Sequence, residues 1–154
     1  MRRIITIGII CFSIVFFGLT CNKEIKSAEN NLPLEAEIVL SDSAFALGAS
    51  IDIDIVLKST NNEDLQFEFA NSCPFDAVIS RHGIDVWQAN ANKACSQIIQ
   101  SGKISPGDST VHTVEWNCHS NLGKEIILGK YTVHGIIHTV PPITTEPVVF
   151  YLVD

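Results

Sequence analysis

Cys73 and Cys95 are the residues of this sequence best placed for covalent chemistry. Between them lie two short apolar-rich runs joined by the turn residues His82 and Gly83, which is a hairpin signal. A disulfide between the two cysteines would close a loop of about 20 residues and stabilise the fold by roughly 3 kcal/mol. Trp87, in the second run, is large enough to anchor a core. The pattern predicts a stapled hairpin with a buried tryptophan.

The positions of the other cysteines limit which disulfides can form. The chain has five cysteines; Cys11 lies in an N-terminal apolar stretch and Cys21 ends that stretch. Cys73, Cys95 and Cys118 remain, and three cysteines allow three pairings that each leave one residue over. We favour the pair Cys73–Cys95, with Cys118 free.

Three histidines are candidate metal ligands: His112, His134 and His138. The last two are four residues apart on one predicted strand, so they share a face but stand about 13 Å from each other. A zinc site needs three or four converging ligands. We therefore expect no metal site.

Other reactive side chains also have ordinary interpretations. Asp52 and Asp54 share the outward face of a strand, and no glycine-rich loop accompanies them to make a calcium site. Cys118 and His119 could be a thiol and its base, but catalytic pairs are usually distant in sequence. Because no nucleophile-elbow pattern occurs either, we expect a protein that is not an enzyme and has no cofactor.

The first 20 residues indicate the compartment. Arg2 and Arg3 precede a short apolar stretch that ends at Cys21, a pattern typical of a secretory signal. A cysteine at this boundary resembles a bacterial lipoprotein signal, although Leu19 lies one position later than usual. We expect residues 1–20 to be the signal peptide, Cys21 to be lipidated and residues 21–34 to form a polar tether. The alternatives are an uncleaved anchor or cleavage near Ala28.

Charge and length limit the partners and the domain count. The chain has 154 residues and a formal net charge of −7, so the basic footprint of a nucleic-acid-binding protein is absent. Its length suits one domain. We expect an exported, membrane-anchored protein of the bacterial cell envelope that is a monomer and binds no nucleic acid.

Short alternating strands must position these side chains. The clearest runs from Ala49 to Lys58, with apolar residues on one face. Further strands are expected at residues 35–40, 65–69, 96–100, 109–116, 129–138 and 148–153. With turn signals between them and no convincing helix, they predict an all-β, immunoglobulin-like antiparallel β-sandwich of about seven to nine strands over residues 35–154. The context of Tyr131 also resembles the tyrosine corner of such folds.

Residues 139–147 are rich in proline and lack glycine, which indicates an extended exposed loop. The prolines restrict its backbone, and Ile143 could be an apolar anchor for a partner. The alternative is an ordinary connection between the last two strands. The candidate partner-binding residues are Val140, Pro141, Pro142, Ile143 and Pro147.

The order of the motifs over residues 49–153 resembles the BsuPI family, which is named after an intracellular proteinase inhibitor of Bacillus. An alternating strand ends near an Asn turn, an aromatic-Asp pair opens the next strand, and Val-Trp follows a glycine. A Pro-Gly-acidic turn, a strand reaching a tryptophan and a Gly-x-Tyr-Thr-Val strand come afterwards. These motifs are Ile51 to Asn62, Phe75-Asp76, Gly83 with Val86-Trp87, Pro106-Gly107-Asp108, Trp116 and Gly129 to Val133.

The resemblance implies an immunoglobulin-like sandwich and, by analogy with the name-giving member, inhibition of a serine protease. Our leading hypothesis is a membrane-tethered, non-enzymatic binding module that inhibits a secreted or envelope serine protease. The alternative is a cell-envelope accessory domain with no protease target. The resemblance carries over no reactive-site residue.

Overall fold

The computed structural model describes residues 32–154. The predicted signal peptide, the lipidation of Cys21 and most of the predicted tether lie outside the described residues. Residues 32–154 contain no helix that is long and apolar enough to span a membrane.

Eleven strands form within this range, and they contain all of the regular secondary structure found there. They are β1 (Leu34–Leu40), β2 (Ala44–Ala46), β3 (Ile51–Ser59), β4 (Leu65–Phe69), β5 (Phe75–Arg81), β6 (Ile84–Gln88), β7 (Gln100–Ile104), β8 (Ser109–Trp116), β9 (Gly129–Ile137), β10 (Ile143–Thr144) and β11 (Val148–Val153).

The strands form two larger sheets and one small one. The first sheet has the order β1-β3-β8, the second has the order β2-β11-β9-β5-β6 with β10 added to β9, and β4 pairs with β7. All pairings are antiparallel except that of β2 with β11. The chain crosses repeatedly between the two larger sheets, as in an immunoglobulin-like sandwich. The predicted all-β fold is confirmed.

Alternating side chains explain why the two sheets pack together. On β3, Ile51, Ile53 and Ile55 are each at most 1% exposed, while Asp52 on the other face is exposed. Trp116 lies at the centre of the opposing aromatic side chains, with ring centroids 6.0 Å from Phe150. Burial of such a row stabilises the fold by about 25 cal/mol for each Å² of apolar area removed from water. The core therefore lies between the two larger sheets.

The Tyr131 hydroxyl closes one end of the sandwich. It donates a hydrogen bond to the carbonyl oxygen of Ile127 at 2.7 Å and accepts one from the Ile127 amide at 3.1 Å. This link to backbone a few residues upstream is the tyrosine corner of immunoglobulin-like folds.

Two differences from the predicted strands have a physical reason. Ala44–Ala46 and Ile143–Thr144 are too short for an alternation pattern to reveal, so eleven strands occur rather than seven to nine. The predicted strand at residues 96–100 is wrong: β7 covers Gln100–Ile104, where Gly102 faces the Phe67 ring on β4. Because β7 contains a glycine, it shows no apolar alternation. The neighbouring Ile98 and Ile99 led to a strand being predicted too early in the chain.

Candidate functional site

The disulfide between Cys73 and Cys95 is present. The two sulfur atoms are 2.02 Å apart and the Cα atoms 5.5 Å apart, which is ordinary disulfide geometry. Cys118 is buried and forms no disulfide within residues 32–154. The bond ties the start of the β5–β6 hairpin to the chain that leaves it.

The β5–β6 hairpin turns as the sequence predicts. His82 and Gly83 have φ angles of 51° and 76°, and positive φ at both central residues is the type I′ turn that suits the twist of a hairpin. Trp87, on the second strand, is 9% exposed, and its ring centroid lies 6.3 Å from that of Trp116. The hairpin is thus anchored in the core through its tryptophan.

The buried side chain of Asp76 links the two strands of this hairpin through hydrogen bonds. The residue is 1% exposed, and its Oδ1 atom accepts hydrogen bonds from the amides of Ala77 at 2.9 Å and Asn90 at 3.0 Å. Its Oδ2 atom accepts one from the side-chain amide of Gln88 at 2.7 Å, and the Asn90 amide group donates to the carbonyl of Phe75 at 2.8 Å. A buried carboxylate needs such partners. The Phe75-Asp76 motif therefore fixes the path of the chain toward Cys95.

The chain that leaves the hairpin carries the two most exposed large apolar side chains of residues 32–154. We call Ala94–Ile99 the disulfide-anchored segment. It forms no strand and all of it is exposed except Cys95. Ile98 and Ile99 are 60% and 64% exposed, more than any other large apolar side chain in residues 32–154. Large apolar groups held in water are typical of a contact surface.

Main-chain hydrogen bonds hold the base of the disulfide-anchored segment. The Ser72 amide donates to the carbonyl of Ser96 at 3.0 Å, and the Ser96 amide donates to the Ser72 hydroxyl at 2.9 Å. The Ile98 amide donates to the Ser96 carbonyl at 2.9 Å, so Gln97 lies at the centre of a γ-turn. With the disulfide beside them, these bonds restrict the backbone on which the two isoleucines stand.

The Val140–Pro147 loop has a different geometry from the one that the sequence suggests. Ile143 is 7% exposed and pairs with Ile137 of β9, so it belongs to the core and is not a protruding anchor. Its burial follows from the alternation of Ile143 and Thr145, which face inward, with exposed residues between and around them. That side chain cannot reach a partner without unfolding the loop. The partner-binding role proposed for the loop stays a prediction, and only its exposed residues could carry it: Val140, Pro141, Pro142 and Pro147.

The start of this loop lies against β4. The Val140 amide donates to the Glu68 carbonyl at 3.0 Å, and the peptide bond between Val140 and Pro141 is cis. An open groove of about 540 Å³ adjoins this contact. Its lining residues come mainly from β4 and β7: Leu32, Gln66, Phe67, Glu68, Ser101, Gly102, Lys103 and Val140. The start of the loop is thus held against β4, and its Ile143–Thr144 part is paired with β9.

His112 and Cys118 both make contacts within the fold. The His112 ring stacks on Phe75 with centroids 4.9 Å apart, and burial, together with the nearby Lys93 charge, lowers the pKa of His112. The Cys118 thiol donates a hydrogen bond to the carbonyl of Ala49 at 3.3 Å, and burial raises the pKa of Cys118. Among residues 32–154, no three His, Cys, Asp or Glu side chains lie close enough to share a metal ion.

The architecture is an immunoglobulin-like sandwich with the disulfide-anchored segment exposed on its surface. The sequence model of the BsuPI family, described as intracellular proteinase inhibitor, matches residues 38–142. This is about two thirds of the chain, and the chain belongs to that family. No curated protein matches it in sequence.

Solved structures of similar shape are distant in sequence. The alkylpurine DNA glycosylase AlkC of Pseudomonas fluorescens is 13% identical with a TM-score of 0.48, and the match covers 80% of this chain and 31% of that one. The sporulation control protein Spo0M of Bacillus subtilis is 11% identical with a TM-score of 0.48, over 79% of this chain and 50% of that one. The β-glucosidase EmGH1 of Erythrobacter marinus is 14% identical with a TM-score of 0.46, over 78% and 15%. In each case this chain spans half or less of the other protein's length.

The sequence identified the disulfide and the hairpin but missed two parts of the site. Asp76 appeared only as half of a family motif, and its role depends on Gln88 and Asn90, which come next to it only in the fold. Ile98 and Ile99 were assigned to a strand, although two consecutive apolar residues after a cysteine do not alternate. That break in alternation was the available signal.

Proposed function

We propose that this protein is an exported, lipid-anchored proteinase inhibitor that contacts its target through the disulfide-anchored segment. The family supports an inhibitor, since its description is that of a proteinase inhibitor. The observation that carries the choice of segment is the exposure of Ile98 and Ile99, at 60% and 64%, three and four residues after the disulfide-bonded Cys95. In this proposal the domain acts by binding its target.

Restricted backbone is the physical reason that this segment suits inhibition. A proteinase cleft binds an extended stretch of chain, and ordering a free loop on binding costs about 0.5–1.5 kcal/mol for each immobilised side chain. The Cys73–Cys95 bond and the hydrogen bonds between Ser72 and Ser96 meet part of this cost before binding. An inhibitor built this way gains affinity without a larger interface.

The chemistry of the segment favours proteinases with apolar specificity pockets. Ile98 and Ile99 are branched and uncharged, whereas a trypsin-like pocket selects a cationic side chain. The nearest cations in sequence, Lys93 and Lys103, flank the segment, and neither lies within it. Subtilisin-like, chymotrypsin-like and elastase-like enzymes are therefore better targets than trypsin-like ones.

The disulfide agrees with a location outside the cytoplasm. Disulfides persist in oxidising compartments and are rare in the cytosol. The N-terminal pattern of Arg2, Arg3, an apolar stretch and Cys21 supports export and lipidation. The family description names an intracellular inhibitor, so the target of this protein would differ from that of the name-giving member.

The test is a titration of secreted serine proteinases with the chain from Asn22 onward, which keeps all eleven strands. Residual activity is measured for subtilisin-like, chymotrypsin-like, elastase-like and trypsin-like enzymes. Three variants accompany the parent chain: Ile98→Asp with Ile99→Asp, Val140→Asp, and Val149→Asp as the control. Val140 and Val149 are 51% and 40% exposed, so neither charge is buried.

We expect stoichiometric inhibition of at least one enzyme with an apolar pocket, lost in the double isoleucine variant and kept in the Val149 control. Loss in the Val140 variant alone would move the contact to the Val140–Pro147 loop and overturn the assignment of the segment. No inhibition of any enzyme would overturn the inhibitor proposal and favour an envelope accessory domain.

A further inference from the structure

Arg81, at the end of β5, carries a buried hydrogen-bond donor with no acceptor among residues 32–154. Its Nε atom is buried, and no hydrogen-bond partner for it lies within residues 32–154. The guanidinium carbon is 5.8 Å from the centroid of the Tyr131 ring. Buried polar groups are nearly always paired. The fold thus leaves the hydrogen bonding of this guanidinium incomplete, and a ligand can reach Arg81 only where the residue lines the surface.

The Arg81 side chain lies next to Gly129. A Cβ atom added at Gly129 would lie 3.5 Å from a terminal guanidinium nitrogen of Arg81, and Gly129 has a φ of 131°. An L side chain rarely adopts that backbone conformation. The guanidinium thus lies close to the backbone at the start of β9, beside the tyrosine corner, and the φ angle is what favours glycine at this position.

A hollow of about 210 Å³ opens next to this guanidinium. One part of its lining is apolar and the other is cationic. Its lining residues are Arg81, His82, Ile84, Val86, Lys124 and Glu125. Ile84 is 56% exposed although it is a large apolar side chain, whereas Val86 is 3% exposed and forms a fixed wall. The hollow therefore offers both a charged donor and an apolar surface.

Cations concentrate here in a protein that is acidic overall, with a formal net charge of −7. Arg81 and Lys124, two of the six Lys and Arg residues in residues 32–154, both line the hollow. The one ion pair in that range joins Lys103 to Asp64, so neither Arg81 nor Lys124 is in one. Close cations without a counter-ion raise the local positive potential.

The carboxylates around the hollow form no ion pair with its two cations among residues 32–154. Glu125 lines it but lies in no ion pair with Arg81 or Lys124 within residues 32–154. The carboxylate of Asp85 accepts a hydrogen bond from the Ser80 hydroxyl at 2.6 Å, on the neighbouring β5–β6 pair. The guanidinium has five donors in a planar fork that matches a carboxylate. An anionic ligand would complete the arrangement.

We propose that this hollow binds an aliphatic carboxylate, with the carboxylate on Arg81 and Lys124 and the aliphatic group against Ile84 and Val86. The C-terminal residue of a peptide has this chemistry, and so does a short branched carboxylic acid. A phosphate fits less well, because it gains nothing from the apolar wall and Glu125 repels a second negative charge.

This site is separate from the contact proposed for inhibition. Cys73 precedes the start of β5 and Arg81 is its last residue, so the two are separated by seven residues of strand, about 20 Å. Binding here is thus independent of the disulfide-anchored segment. A failure of one proposal leaves the other untouched.

Nuclear magnetic resonance of the Arg81 Nε–H group tests the site directly. The chain from Asn22 onward is titrated with isovalerate, with its uncharged analogue isovaleramide, and with inorganic phosphate. A peptide with a free C-terminal leucine is compared with its C-terminal amide, which separates a peptide end from a free acid. Lys124→Gln removes one cation without touching the core, and Lys58→Gln on β3 is the matched control.

We expect isovalerate to shift the Arg81 Nε–H resonance saturably, and isovaleramide and phosphate not to. Lys124→Gln should weaken binding by roughly fivefold, the effect of losing one partly exposed charge contact of about 1 kcal/mol, and Lys58→Gln should leave it unchanged. An equal shift with isovaleramide or phosphate overturns the carboxylate assignment, and an unmoved Arg81 resonance overturns the site. If the free-ended peptide binds more tightly than isovalerate and its amide does not bind, a peptide end is the ligand.

Discussion

The side-chain amide of Asn121 pairs with the main chain of Gln88 as a neighbouring strand would. Its nitrogen donates to the Gln88 carbonyl at 2.7 Å, and its oxygen accepts from the Gln88 amide at 3.0 Å. The Ser120 hydroxyl donates to the Val86 carbonyl at 2.6 Å on the same strand. Strand β6 is the last of its sheet, and unpaired edges invite association with other chains. Two side chains thus cover this edge.

Replacing Asn121 by alanine should uncover the edge of β6. Both hydrogen bonds to Gln88 are lost, and a partly buried amide and carbonyl are left without partners. We expect the free energy of unfolding to fall by about 1–3 kcal/mol, and self-association to rise. Denaturant unfolding and light scattering measure the two effects.

Asn62→Ala is the matched control for that substitution. Asn62 is an exposed turn residue, so its loss should change stability by less than about 0.5 kcal/mol. Equal stability of the two variants would mean that water replaces Asn121 at no cost.

Removing the Tyr131 hydroxyl should destabilise the sandwich while leaving the ring in place. Tyr131→Phe deletes one donor to the Ile127 carbonyl and one acceptor from its amide, and we expect a loss of about 1–3 kcal/mol in the free energy of unfolding. Tyr151→Phe is the control, because that residue is 46% exposed. A similar loss in both variants would argue that the tyrosine corner contributes nothing specific.

Local patterns in the sequence predicted most of the sandwich. The alternation from Ile51 to Leu57, the His82-Gly83 turn and the context of Tyr131 each depend on neighbours in the chain, and the structure has all three features. Turn chemistry and period-two alternation are local signals. Local order was therefore readable without a structure.

The candidate site was harder to predict because it depends on long-range contacts. Ile143 looked exposed between prolines, yet it pairs with Ile137 and is buried. Asn121 gave no signal, since its partner Gln88 is 33 residues away. Arg81 likewise stood out only when the fold brought it beside Tyr131 and Gly129. Burial and pairing of this kind are set by topology.

A side chain at Gly102 should disrupt the small sheet. A Cβ atom at Gly102 would lie 2.6 Å from two atoms of the Phe67 ring, and Phe67 is 9% exposed, so the ring has little room to move. Gly102→Ala should cost about 1–3 kcal/mol through overpacking. Chemical denaturation provides the measurement.

The same substitution beside a smaller residue shows whether crowding is the cause. In a Phe67→Leu background the added methyl has space, so Gly102→Ala should cost less there than in the parent chain. Ser101→Ala, at the neighbouring exposed position, is the control for a change of side chain on β7. An undiminished cost in the double variant would point to backbone effects instead of the ring.

Stacking of His112 on Phe75 should make stability depend on pH. Partial burial of the ring, with a smaller effect of the Lys93 charge, holds the pKa of His112 below its ordinary value of 6.5. The unfolded chain then takes up the proton more readily than the folded one. This contribution to stability is fully present above pH 6.5 or so and falls as the pH drops from there through the folded-state pKa.

Unfolding measured between neutral and mildly acidic pH checks this expectation for His112. His112→Gln removes the titrating group, so the difference in unfolding free energy between the parent chain and the variant should shrink or reverse on acidification. The ring protons of His112 should titrate below the midpoint of an unstructured histidine peptide. A midpoint above that of the peptide would reverse the sign, because the folded state would then favour the charged ring, and the stacking on Phe75 would stabilise the imidazolium.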